Sequence, residues 1–111
     1  MTEMLVVFTS FATEEEAAKV VRALVQERLI ACGNLLPGAR SFYRWEGRIA
    51  DEREVVAILK TRKQDWAALN SRLHELHSYT TPELVAVRVA SGSPKYLAWL
   101  EASLEPAPEG S

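Results

Sequence analysis

The stretch from Leu29 to Thr61, LIACGNLLPGARSFYRWEGRIADEREVVAILKT, constrains the fold more than any other part of the chain. Two β-rich runs lie back to back, with Glu46-Gly47 as a tight reversal between them, because glycine tolerates the positive φ such a turn demands. The first run, Leu29 to Trp45, is longer than an ordinary strand of roughly five or six residues. Pro37-Gly38 in its middle predicts a bend or a bulge. One long hairpin follows, and it outgrows its own sheet. Protruding strands carry unpaired edges that must be covered, and in a chain of 111 residues the expected cover is a second copy of the same chain.

The flanks supply the rest of a sheet. Met4 to Thr9 is a short continuous apolar run suited to a central strand ending at Ser10. Thr13 and Glu16 form a capping-box pattern, with Glu14, Glu15 and Glu16 at the positive end of a helix dipole. Ala17, Val20, Val21, Leu24 and Val25 then recur at helical spacing, while Lys19, Arg22 and Gln26 face water and Arg28 marks the basic end. After the hairpin, Thr61 and Gln64 repeat the capping-box pattern, and Trp66, Leu69, Leu73 and Leu76 form a second stripe that stops near His77. Leu84 to Ala90 reads as a strand, with Val85, Val87 and Val89 on one face and Arg88 on the other. Ser93-Pro94 opens a short third helix bearing Tyr96, Leu97, Leu100 and Leu104. The order is β-α-β-β-α-β plus a C-terminal helix: an α+β, ferredoxin-like sandwich with both long helices on one face of an antiparallel sheet. The domain spans 1–105, and 106–111 reads as a flexible tail. The other face of the sheet is left bare, and an apolar sheet face of that size calls for oligomerisation or a ligand.

Composition narrows the function. The balance of thirteen basic and fifteen acidic side chains, net charge −2, gives no electrostatic basis for general nucleic-acid binding. The strand EVVAILKT has no stacking aromatic, which sets it apart from RNA-recognition domains of the same element order. No apolar run approaches the roughly 20 residues that span a bilayer. The single cysteine, Cys32, excludes an internal disulfide, and MTEMLVVF lacks the basic region and apolar length of a signal peptide, so a reducing cytoplasm is the expected compartment.

The segments ERLIACGNLLPG, SFYRWEG, Glu54 to Thr61 as E-x-x-x-x-x-KT, ELHSYTTPELVAV and YLAWL, in that order and spacing, resemble the CutA family of divalent-cation-tolerance proteins from Phe8-Thr9 to Trp99. The resemblance implies a compact homotrimer similar to the PII signalling proteins, with long hairpins around a three-fold axis, and a link to copper and other divalent cations. Gly33, Arg44 and Ser78-Tyr79-Thr80-Thr81 depart from the family pattern, and Thr80 takes the place of a carboxylate.

Candidate metal ligands are Cys32 as a soft thiolate, His77 as a borderline imidazole and Glu83 as a supporting carboxylate. Each has a structural alternative: Cys32 as a small buried hydrophobe, His77 as a helix-end cap. Tyr43 and Trp45 alternate onto one hairpin face and, with Lys60 and Tyr79, would shape an inter-subunit cleft or pack at the trimer contact. Lys60 and Glu83 could pair with each other. An enzyme using Cys32 as nucleophile and His77 as base would need an orienting group and an oxyanion site, and the sequence displays neither. The reading is a cytoplasmic, non-enzymatic homotrimer binding copper or another divalent cation, its protein partner unidentified. The alternative is a trimeric, PII-like interaction or small-ligand protein without a metal role.

Overall fold

The computed structural model describes residues 2–106. Apart from Pro106, the tail lies outside them.

Strand β1 spans Met4–Phe11, two residues beyond the apolar run, because Ser10 and Phe11 still find partners in Val56 and Val55 of the hairpin. Helix α1, Glu14–Gln26, starts as its sequence requires, with Thr13 Oγ1 accepting from the Glu16 N–H at 3.1 Å. The Glu16 carboxylate does not complete the capping box. It accepts instead from the N–H and hydroxyl of Ser78 at 2.8 and 3.0 Å, tying the start of α1 to the segment after the second long helix. Ala17, Val20, Val21 and Leu24 are buried, whereas Val25 is exposed, so the buried stripe is narrower than the spacing suggests. Arg28 lies past the helix in the left-handed region (φ 58°) and donates to the Ser103 carbonyl at 3.0 Å.

The hairpin is β2, Cys32–Trp45, and β3, Arg48–Arg62, joined at Glu46-Gly47, where both residues have positive φ (50° and 77°). Register slips between Leu36 and Ala39, where Gly38 takes φ 82°, so the bulge sits where Pro37-Gly38 placed it. Gly33 stands at a close approach: a Cβ there would come within 2.5 Å of Val21 Cγ1 on α1 and 3.0 Å of Leu59 Cδ2 on β3.

The second capping box does not form. Thr61 belongs to β3, pairs with Leu5 and donates its hydroxyl to the Leu29 carbonyl at 2.7 Å. A 3-10 turn, Lys63–Asp65, follows, and helix α2, Trp66–Leu76, begins without a side-chain cap. Leu69 and Leu73 are buried and Trp66 and Leu76 pack at the margin of the same core. Strand β4 is short, Val85–Arg88, and α3, Pro94–Leu104, opens with proline as expected.

The sheet is antiparallel with order β2-β3-β1-β4, the ferredoxin-like arrangement. The main core lies between one sheet face (Leu5, Val7, Phe11, Val55, Ala57, Leu59) and the stripes of α1 and α2. The opposite face is not wholly bare. Met4 on that face, with Ala31, packs against Leu100 and Leu104 of α3, so α3 covers one end. Beyond α3, Val85 and Val87 pair across from Phe8 and Val6 and are each 53% exposed. The radius of gyration is 15.1 Å and the long dimension 50 Å, against about 13 Å for a compact chain of 100 residues. The hairpin projects.

Candidate functional site

A cavity of about 610 Å³ opens where the outer hairpin meets the segment joining α2 to β4. Its construction follows from alternation along two strands. Ser41 pairs with Glu52 and Ala39 with Glu54, so Ser41, Tyr43, Glu52 and Glu54 share one sheet face. Phe42 and Trp45 add aromatic wall near the turn. Tyr79, Thr80, Thr81 and Glu83 close the other side, and Ser10 lies at the floor where β1 ends.

His77 holds that second wall in place. Its ring stacks on Phe11 with centroids 4.5 Å apart and planes 10° from parallel. One ring nitrogen, Nε2, lies 2.7 Å from the Ser10 carbonyl, and Nδ1 accepts the Tyr79 N–H at 3.0 Å. Those two contacts fix a neutral imidazole with its proton on Nε2. The loop is thereby pinned to the end of β1, and Tyr79 is aimed inward. Its hydroxyl donates to Glu54 Oε2 at 2.7 Å. Burial, then the hydrogen bond to Glu54 and the charges around it, push the Tyr79 phenol well above its usual pKa. Tyr43 is raised as well, first by desolvation and then by Glu52 and Glu54. Both phenols therefore stand in a negative field.

Four residues singled out in the sequence, Tyr43, Trp45, Tyr79 and Glu83, meet at this cavity. The others do not. Lys60 is off the wall, cross-strand from Cys32, and its ammonium donates to Asn34 Oδ1 at 2.9 Å and not to Glu83. Cys32 packs beside the α3 cluster, with Sγ 3.9 Å from the Tyr96 hydroxyl. Through its register with Lys60 and Val6 it lies on the sheet face opposite the main core, whereas His77 stacks on Phe11 on the core side. The levels of Val6 and Ser10 differ by roughly 13 Å along β1. Cys32 and His77 of one chain thus form neither a ligand pair nor a nucleophile–base pair. Among the described residues no three His, Cys, Asp or Glu side chains converge as a metal site. Among the described residues of one chain, the donors do not assemble a set that fits a resident metal ion.

Glu52 and Glu54 were not foreseen as site residues. The signal for them is weak: DEREVV reads as a solvated run, and only the spacing of Glu52, Glu54 and Val56, two apart on one strand, places both carboxylates on the cavity side.

The comparisons with known proteins agree with this architecture. Residues 5–103 match the model of the CutA1 divalent ion tolerance protein family. The divalent-cation tolerance protein CutA of Pyrococcus horikoshii is 47% identical over 97 residues, covering 87% of this chain and 94% of that protein. Its counterpart in Thermus thermophilus is 42% identical over 95 residues, covering 86% and 92%. The crystal structure of CutA1 from Oryza sativa superposes with a TM-score of 0.91 at 32% identity, covering 95% of this chain and 96% of that one. From the hairpin register to the third helix, this chain belongs to the CutA1 divalent ion tolerance family.

Proposed function

We propose that the chain works as a homotrimer that binds divalent cations, copper foremost, at sites to which more than one subunit contributes, and that it carries out no catalysis. The observation that carries this reading is the position of Cys32. The one thiol of the chain sits on the sheet face that also carries the uncovered Val85 and Val87, and among the described residues it belongs to no group of three His, Cys, Asp or Glu that could hold a metal. Exposed apolar surface of this kind drives association, and association would bring donors from neighbouring chains to the thiol. The printed names of the relatives concern divalent-cation tolerance, which supports the cation side of the reading. A reducing compartment such as the cytoplasm suits a site built on an unpaired thiol.

The test is a titration of purified protein with Cu(I), Cu(II) and Zn(II), followed by native mass spectrometry. Metal bound in fixed ratio to trimers, and lost in Cys32→Ser with the trimer intact, is the expected result. Binding no tighter than that of exposed carboxylates and imidazoles, unchanged in Cys32→Ser, would remove the metal reading. A second reading, a small-ligand protein, is favoured by the cavity at Glu54.

A further inference from the structure

We propose that the outer hairpin joins copies of this chain head to tail, its arginine-bearing face seating on the acidic wall of a neighbouring copy and closing the open side of that copy's cavity. The inference rests on the homotrimer reading and adds which surfaces meet.

The two faces of the outer ribbon differ in sign. The register that sets Ser41, Tyr43, Glu52 and Glu54 on the cavity side sets Arg40, Phe42 and Arg44 of β2 with Ile49, Asp51 and Arg53 of β3 on the other. The Arg40 guanidinium lies 5.0 Å from the centre of the Phe42 ring, as two residues of one face should. That face holds three arginines against one aspartate. On the cavity side Glu52, Glu54 and Glu83 line the wall and no lysine or arginine does, Arg48 lying outside the lining, across from Trp45 at the turn.

Neither set of charges is neutralised within the chain. Arg40 is held by Asp51 at 2.9 Å, but Arg53 stands directly across from Arg40, and a like-charge cross-strand pair destabilises a ribbon unless an anion relieves it. Among the described residues, Arg44 and Arg53 take part in no ion pair, and neither do Glu52, Glu54 and Glu83. Each set stands among exposed apolar side chains, Phe42 and Ile49 on one face, Tyr43 and Trp45 on the other. Arginine with aromatic residues is the composition that protein interfaces favour. Arg44 is also a position at which this chain departs from its family's pattern, so its share of the contact belongs to this chain.

Sign decides the symmetry. A two-fold contact sets a patch against itself, here arginines on arginines or carboxylates on carboxylates. The basic face on the acidic wall is instead a heterologous contact, in which every chain uses both surfaces and the assembly closes as a ring. From Glu54 to the turn the ribbon runs about 20 Å, which lays Arg53 and Arg44, about 13 Å apart, along a neighbour's wall.

The test is sedimentation velocity of the full-length protein across protein and salt concentrations, with far-ultraviolet circular dichroism as the check of folding. Three variants at exposed sites are compared with it: Arg44→Glu with Arg53→Glu, Glu52→Arg with Glu83→Arg, and the chain carrying all four changes. Each double variant gives the two surfaces one sign and is expected to weaken assembly by about tenfold or more, an effect that added salt reduces. The chain with all four changes has complementary surfaces again and is expected to reassemble. The milder Arg44→Gln with Arg53→Gln should fall between the wild type and the first double variant. Assembly as strong as the wild type's in the double variants, no recovery in a folded chain with all four changes, or a wild type that stops at a dimer overturns the head-to-tail contact. In the first two cases a wild type of three chains leaves the homotrimer reading standing. A wild type that stays monomeric removes both.

Discussion

Strand β3 is two strands in physical terms. From Glu54 to Arg62 its side chains are buried or half-buried: Val55, Ala57 and Leu59 enter the main core, and Arg62 is held by Asp65 at 2.7 Å. From Arg48 to Arg53 every residue but Ala50 is exposed, and Ile49 on β3, like Phe42 and Trp45 on β2, presents more than half of its surface to solvent. The inner half is fixed by packing against α1 and α2. The outer half is fixed by its backbone ladder, the Glu46-Gly47 turn and the Arg40–Asp51 pair at 2.9 Å. A two-stranded ribbon is only marginally stable by itself in water, so what lies around the outer half matters as much as its sequence. The candidate cavity sits at the junction of the two halves, where Glu54 is the first buried residue of the strand.

Substitutions graded along this contrast should give graded effects. Leu59→Ala, in the buried half, removes a fully enclosed side chain and is expected to cost about 3 kcal/mol by denaturant unfolding. A loss below about 1 kcal/mol would mean that the inner half is less tightly packed than the structure shows. Val87→Asp on the uncovered face should leave far-ultraviolet circular dichroism unchanged and lower the mass in solution to that of a monomer. If assembly survives, that part of the face is not the contact.

At the junction, Tyr79→Phe removes a hydrogen bond to a charged, buried acceptor and, allowing for partial exposure of the tyrosine, should cost about 1 kcal/mol. The same change has a pH signature. The native state holds the Tyr79 proton above the pKa at which the unfolded chain releases it, near 10, so its contribution is complete below about pH 10 and is lost as pH rises further. Stability between pH 9 and 11.5 should therefore fall less steeply in Tyr79→Phe, and an unchanged slope would contradict the placement of that hydroxyl. The smallest effect is expected of Arg40→Ala, since both partners of the pair are solvent-exposed. Asp51, held below the usual carboxylate range by Arg40, would then titrate normally, and a large fall in melting temperature would show that the outer ribbon depends on this pair.

The hairpin, its turn, the bulge and the order of elements were legible in the sequence because each rests on local signals: glycine at positive φ, alternation, helical spacing. The pattern at Thr61 misled because a Thr followed three residues later by Gln does not say which partner the hydroxyl takes. Here it is the Leu29 carbonyl, supplied by the chain before β2. Cys32 and His77 looked like a pair for want of any view of the sheet between them. Glu54 was hidden for the opposite reason, since a charged run reads as a solvated face, and only the fold of the Tyr79 loop over the sheet end buries it.

The central claim is that the exposed apolar face and the outer hairpin are closed by further copies of this chain. Sedimentation equilibrium of the purified protein across a hundredfold range of concentration tests it most directly. A single species of three chains is the result expected. A monomer that stays folded across the range would contradict it.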